Sequence, residues 1–313
     1  MSSPNIKHHT DGQPRARLFV GSFESAIYLL SSIGGVPDNV SVLPAINTNF
    51  SHHISAGLAD GTSITGQNAI SHPSERTALP DVTLSATRET EEQDGIEDAN
   101  LPGSLPTLRR QYITFSKAAE EELPARIERI WYINPYGQEI RPPANPKVLD
   151  AIGSSQSVVY SIGSLYTSIV PSLILRGVGD ALAGPAVRHK ILILNSTTDR
   201  ETGPSSAPFT ATDFVAAVAK AAAESRGLAG AVAPHEYKAY VTHLVHLEGP
   251  GTPKVDKAEL NRLGIETLRL YGRTTEGGKG LRYDERALLQ ALEATIGRRD
   301  PTAERSRRNT LER

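Results

Sequence analysis

From about residue 127 onward, short runs of β-branched and aliphatic residues alternate with amphipathic helical stretches, and this alternation constrains the fold more than any other feature of the chain. RIERIWYINP, SVVYSIG, KILILN at 190–195, YKAYVTHLVHL at 237–247 and IETLRLY at 265–271 read as strands. The helical stretches are ANPKVLDAIGSS, a run from about Thr167 to Ala183, a run from Thr212 to about Arg226 with Asp213 or Thr212 as its cap, and DERALLQALEATIG from Asp284. Strands alternating with helices at this spacing imply a mostly parallel sheet covered on both faces. The expected class is therefore α/β, a Rossmann-like three-layer α/β/α arrangement.

The N-terminal third reads differently. A helix is predicted over about 22–33, where Phe23, Ile27 and Leu30 repeat at helical spacing and Gly34-Gly35 followed by Pro37 supply a stop. VSVLPAI reads as a short buried strand, and Asp60-Gly61 between two alternating segments signals a hairpin. Over 71–110, Pro73, Pro80, Pro102 and Pro106 punctuate a chain crowded with Glu89, Glu91, Glu92, Asp94, Glu97 and Asp98. Such a segment buries too little apolar surface to offset its ordering entropy, which predicts a solvated insertion; it lacks the spaced aspartates and central glycine of a calcium loop. The expected organisation is a disordered lead-in at 1–16, one domain at 17–296 and a disordered tail at 297–313.

Composition narrows the partners. The 33 basic and 35 acidic side chains leave a formal charge of −2, so nothing draws the chain toward nucleic acid or an anionic membrane. The tail carries six arginines against three acids, but its polarity and Pro301 favour a solvated end over a nucleic-acid arm. No window approaches the roughly 18 apolar residues of a membrane span, and the N-terminus lacks a secretory apolar stretch, which predicts a soluble cytoplasmic protein. The absence of cysteine removes disulfides, thiolate catalysis and cysteine-ligated metals.

The stretch SVVYSIGSLYTSIVPSL carries the most chemistry. A strand ending at Ile162, a turn at Gly163-Ser164 and a helix capped by Thr167 or Ser168 would place unsatisfied amides and the positive end of a helix dipole at the carboxyl edge of the sheet. Gly163, Ser164, Leu165, Tyr166, Thr167 and Ser168 are therefore candidate phosphate ligands, against the plainer reading of an ordinary capped helix. Asn47, Asn134 and Asn195 each follow an apolar run, VLPAIN, IWYIN and ILILN, and either line the same crevice or close turns. His243 and His246, three apart in a strand, face opposite sides and cannot share a metal; His52 and His53 are opposed likewise. No G-x-S-x-G elbow is present, and no cofactor is evident from the residues.

The order VLPAIN, ADGTSITGQNAIS, IERIWYINP, ANPKVLDAI, VVYSIGSLYTSIVPSL, RGVGDAL and KILILNSTTDRETG resembles the CofD-like family over about residues 17–296. That family comprises 2-phospho-L-lactate transferases and the related gluconeogenesis-factor proteins, and the spacing is closer to the latter branch, in particular its fungal members, than to the transferases, whose equivalent loop carries S-N-P. The resemblance implies a nucleotide or nucleotide-sugar ligand, a regulatory role in carbon metabolism, magnesium as a family cofactor and a homodimer as the expected assembly. As alternatives it implies a transferase that moves a phospholactyl group from a nucleoside diphosphate donor, or an inactive fragment. Bacterial relatives have G-P-G-S where this chain has Ser161-Ile162-Gly163-Ser164. The family's opening G-G-G-[TS]-G loop and its D-D-G/T-G-S segment have no counterpart here, so the sheet is expected to be incomplete at its N-terminal edge.

Overall fold

The computed structural model describes residues 23–48, 52–72, 122–228, 232–275 and 280–297. The expected lead-in, the tail beyond Gly297 and all of the acidic insertion past His72 lie outside the described residues. Helix α1 (Phe23–Ile33) falls where its spacing predicts, but only Ala26 is buried and Leu30 is exposed, so the apolar stripe is not a core face among the described residues.

The first sheet is antiparallel. Strands β1 (His53–Leu58) and β2 (Ser63–Thr65) form the hairpin expected at Asp60-Gly61. Asp60 Oδ1 accepts from the Thr62 amide at 2.9 Å and its hydroxyl at 2.6 Å, and Gly61 supplies the left-handed φ of 84° that an L side chain resists. Helix α2 (Gln67–Ser71) follows. Strand β3 (Ile127–Ile133) pairs antiparallel with β1 and, across a short turn, with β4 (Glu139–Ile140), giving the order β2-β1-β3-β4. This corrects the expectation of a single mostly parallel sheet: the short turns between β1 and β2 and between β3 and β4 reverse the chain, and β3 returns beside β1 antiparallel from beyond the insertion.

The second sheet is parallel. Helix α3 (Pro146–Ser154), capped by Asn145, leads into β5 (Ser157–Tyr160), which ends two residues earlier than the sequence suggests. A wide turn with i→i+5 bonding over Leu165–Ile169 runs into α4 (Val170–Leu173), and α5 (Val178–Ala183) follows a break. The single helix expected from Thr167 to Ala183 is thus two pieces. Gly177 adopts a φ of 95° between them, and Arg176 exchanges backbone bonds with Pro142 and Ala144 instead of continuing the helix. Strand β6 (His189–Ile193), helix α6 (Ala211–Ser225), β7 (His243–His246), α7 (Lys257–Arg262) and β8 (Glu266–Arg269) complete the unit, in the order β5-β6-β7-β8. The cap of α6 is Thr210, not Thr212 or Asp213; Asp213 instead returns the bond, its Oδ2 accepting from the Thr210 amide at 2.7 Å. A hairpin of β9 (Gly272–Thr274) and β10 (Leu281–Tyr283) precedes α8 (Glu285–Ile296), the helix expected from Asp284, which serves as its N-cap.

Strand alternation sends the KILIL run both ways. Leu192 and Leu194 join the main core with Leu165, Phe214, Val215 and Val218, and that core extends to Ile54, Ala56 and Ile130 of the antiparallel sheet. Ile191 and Ile193 face the opposite side, against Leu288 and Leu292 of α8. A strand buried on both faces has no polar alternation, hence the unbroken apolar run. VSVLPAI, by contrast, forms no ladder: Val40 and Val42 are 50% and 49% exposed, and Pro44 has no amide proton to donate. Its carbonyls are held by Asn145, whose Nδ2 donates to Pro44 O at 3.1 Å and whose amide donates to Ala45 O at 2.8 Å.

Candidate ligand site at the carboxyl edge of the parallel sheet

In a parallel sheet every strand ends on one edge, and the connecting loops gather there. After β5, Ser161 and Ile162 are exposed and Gly163 and Ser164 half-buried, leading into Leu165–Ile169. The Ser168 and Ile169 amides both donate to Ser164 O, at 3.0 and 3.3 Å, which opens the first turn beyond α-helical width. The Ser164 side chain does not cap it, and among the described residues the amides of Gly163, Ser164 and Leu165 have no hydrogen-bond partner. A Cβ on Gly163 would lie 2.9 Å from Ser168 Cβ, so the bare backbone is what lets the chain turn this tightly.

The next two amides are closed. Those of Tyr166 and Thr167 donate to Glu201 Oε2 at 2.8 and 3.0 Å, and the Thr167 hydroxyl donates to Oε1 at 2.5 Å. Glu201 is 1% exposed, has no ion-pair partner among the described residues, and burial pushes its carboxyl above the usual range against the opposing pull of Thr167. An internal carboxylate therefore fills part of the seat that the sequence offers to phosphate. Sequence reasoning missed it: STTDRETG shows the Asp199/Thr202 capping pattern, but nothing in a polar run betrays a buried glutamate.

The loops after β6 and β7 are tied together on this edge. Leu194 donates its amide to Val245 O at 2.9 Å, and Thr198 donates to Gly251 O at 3.2 Å. Tyr283 of the β9–β10 hairpin donates its hydroxyl to Leu194 O at 2.7 Å, fastening the hairpin over the strand ends. Asn195 follows Leu194 here, half-buried. The other two asparagines are placed elsewhere. Asn134 closes the β3–β4 turn of the antiparallel sheet, its Oδ1 accepting from the Tyr136 and Gln138 amides at 3.0 Å each and its Nδ2 donating to Gln138 Oε1 at 2.9 Å. Asn47 is exposed beyond the segment held by Asn145. Of the three, only Asn195 stands at the end of a parallel strand.

Two other hollows bear on the charge pattern. One of about 730 Å³ lies between β3 and α6, where Arg126 pairs with Asp213 at 2.8 Å and Arg129 with Glu224 at 2.6 Å and Glu139 at 2.5 Å, while Arg141 and Lys220 donate to the Glu224 and Glu128 carbonyls. The other, about 970 Å³, is lined by Arg273, Arg282 and Arg286 beside Asp284, where Asp284 pairs with Arg273. Among the described residues no three of His, Asp and Glu are grouped to hold a metal ion.

The chain is a mixed α/β protein with a four-stranded parallel sheet, an architecture in which ligand sites are generally found at the carboxyl ends of the strands. Residues 15–270 match the family described as 2-phospho-L-lactate transferase CofD, and the chain belongs to that family. An uncharacterized protein of Saccharomyces cerevisiae, YNL011C, is 35% identical over 271 residues, 80% of this chain. The chain spans 61% of that yeast protein's length. Two crystal structures of protein BH3568 from Bacillus halodurans, one described as a member of the UPF0052 family, share the fold at a TM-score of 0.56 and 19% identity. They cover 88% and 92% of this chain, and 68% and 74% of the bacterial chains are covered in return. No helix among the described residues is long and apolar enough to cross a membrane.

Proposed function

We propose that this chain is a CofD-like protein that binds a nucleotide or nucleotide-sugar through its phosphate at the carboxyl edge of a Rossmann-like three-layer fold, and that it acts in the cytoplasm as a homodimeric regulator of carbon metabolism. The observation that carries the reading is the pair of unbonded amides of Gly163 and Ser164, both half-buried, just past the end of β5; the third, on Leu165, is buried. Unbonded amides at the start of a helical turn attract an anion, and the hydroxyls of Ser164 and Ser168 stand beside them as further donors. Calorimetry with UDP-glucose, GDP and their relatives tests it. Ser164→Asp should weaken binding by like-charge repulsion while leaving the fold intact, because the side chain is partly exposed; unchanged affinity would count against phosphate recognition.

The family match favours a second reading, transfer of a phospholactyl group from a nucleoside diphosphate donor to an acceptor hydroxyl. Such a step needs a group that accepts the hydroxyl proton within hydrogen-bond reach. The carboxylate nearest the turn, Glu201, already accepts from three donors, and so binding ranks above turnover. Product formation by the purified chain would reverse that ranking. Light scattering of the same preparation reads the homodimer.

A further inference from the structure

Strand β5 is an outer strand of the parallel sheet, paired with β6 alone. The His189 amide donates to Gln156 O at 3.1 Å, which sets the phase of that ladder. The backbone groups of Gln156, Val158 and Tyr160 turn toward β6, and those of Ser157, Val159 and Ser161 turn away. Among the described residues these outward amides and carbonyls have no hydrogen-bond partner. Val159 is 36% exposed and Ile162 48%, and the chain between Asp150 and Arg176 carries no charged side chain. Outer strands are ordinarily guarded against pairing by charge or by shortness. The opposite edge of the sheet, β8, carries the exposed Glu266 and Arg269, and the outer strands of the antiparallel sheet, β2 and β4, have three and two residues. The β5 edge has no such charge and offers three outward positions in phase.

We infer that β5 is the interface of a homodimer, in which it pairs antiparallel with β5 of a second copy of this chain about a two-fold axis at Val159. The inference rests on the homodimer of the proposed function and assigns its surface. The symmetry of the edge selects a second copy as the occupant. Ser157, Val159 and Ser161 are evenly spaced about Val159, so in an antiparallel pair centred there Val159 faces its own counterpart and Ser157 faces Ser161 of the partner subunit. Each facing pair exchanges two backbone bonds, which satisfies every open group on the edge and joins the two parallel sheets into one. No like charges meet across the axis. The two exposed Val159 side chains stand on the same face of the joined sheet, where each covers the other.

Sedimentation velocity of the wild-type chain over a range of concentrations should show a reversible dimer. Val159→Lys and Val159→Glu each set like charges opposite one another at the axis and should weaken self-association by about tenfold. Mixed in equal amounts, the two variants set opposite charges there and should dimerise with each other at concentrations where neither does so alone. The Val159 side chain reaches solvent and its amide bonds nothing within the chain, so both variants keep the ladder to β6. Single variants that dimerise as well as the wild type, or a mixture that does not dimerise, overturn the pairing and leave a homodimer through another surface. A wild-type chain that stays monomeric overturns the pairing and the homodimer of the proposed function together, and leaves ligand binding to calorimetry. Hydrogen exchange of the wild-type chain, followed by NMR, needs no variant: the Val159 and Ser161 amides should exchange more slowly as concentration rises, whereas the Val158 amide, already turned toward β6, should not respond. Exchange at Val159 and Ser161 that is independent of concentration overturns the pairing even if the variants fail to fold.

Discussion

Replacing Gly179 by alanine should destabilise the protein although alanine is the better helix former. Gly179 lies in α5 against α6, and an added Cβ would sit 1.9 Å from Ala222 O, about 1.1 Å inside the 3.0 Å that real Cβ contacts respect. The obstructing atom is backbone, so no side chain can swing aside; α5 and α6 must separate. That separation would also pull on the bonds from the Gly179 amide to Ser225 Oγ at 2.9 Å and from Ser225 Oγ to Leu175 O at 2.5 Å. Overpacking of this kind costs about 3 kcal/mol, and the gain in helix propensity returns about 1 kcal/mol. The net loss of about 2 kcal/mol lowers the unfolding midpoint by roughly 4–8 °C. Gly153→Ala is the matched control, because no atom lies within 4 Å of its added Cβ; near the end of α3 it should gain about 0.5 kcal/mol and raise the midpoint by roughly 1–2 °C. Differential scanning calorimetry of the three proteins decides. A Gly179→Ala midpoint at or above that of the wild type would refute the close approach of α5 and α6.

Two further outcomes follow from the same helix and its cap. Thr210→Ala removes one half of the capping box of α6 and should cost about 1 kcal/mol in denaturant unfolding. Burial works to raise the Asp213 carboxyl, but bonds from Arg126 and Thr210 outweigh it and hold the group below the usual carboxylate range. A depressed native value means stability that is present above the unfolded-state pKa of about 3.9 and is lost as pH falls through the native one. Asp213→Asn should flatten that acid limb of a urea midpoint measured against pH, and a limb of unchanged steepness would show that Asp213 contributes nothing to it.

The elements that the sequence determines by itself are those whose signal is local. The hairpin at Asp60-Gly61 needs only a short polar side chain and a glycine that accepts positive φ, both legible in two letters. The helix from Asp284 and the strand KILIL are legible because caps and apolar periodicity act over one or two turns. Membership of the CofD family was also readable, since GSLYTSIVPSL and the INP block keep their order along the chain.

What only tertiary structure decided depends on partners distant in sequence. VSVLPAI has the composition of a strand, but a strand exists only where another offers its edge, and Asn145, about a hundred residues away, takes the Pro44 and Ala45 carbonyls instead. The break at Gly177 is set by the backbone of Pro142 and Ala144, and the antiparallel sheet is centred on the pairing of β1 with β3, which are separated by the insertion and cannot be matched from local sequence. The candidate site shows the same division. That Gly163 to Leu165 would turn at a strand end follows from their own residues; that the next two amides are closed follows from Glu201, 34 and 35 positions along the chain. A buried charge leaves no mark on local propensity, because its desolvation is offset only by groups that folding brings to it.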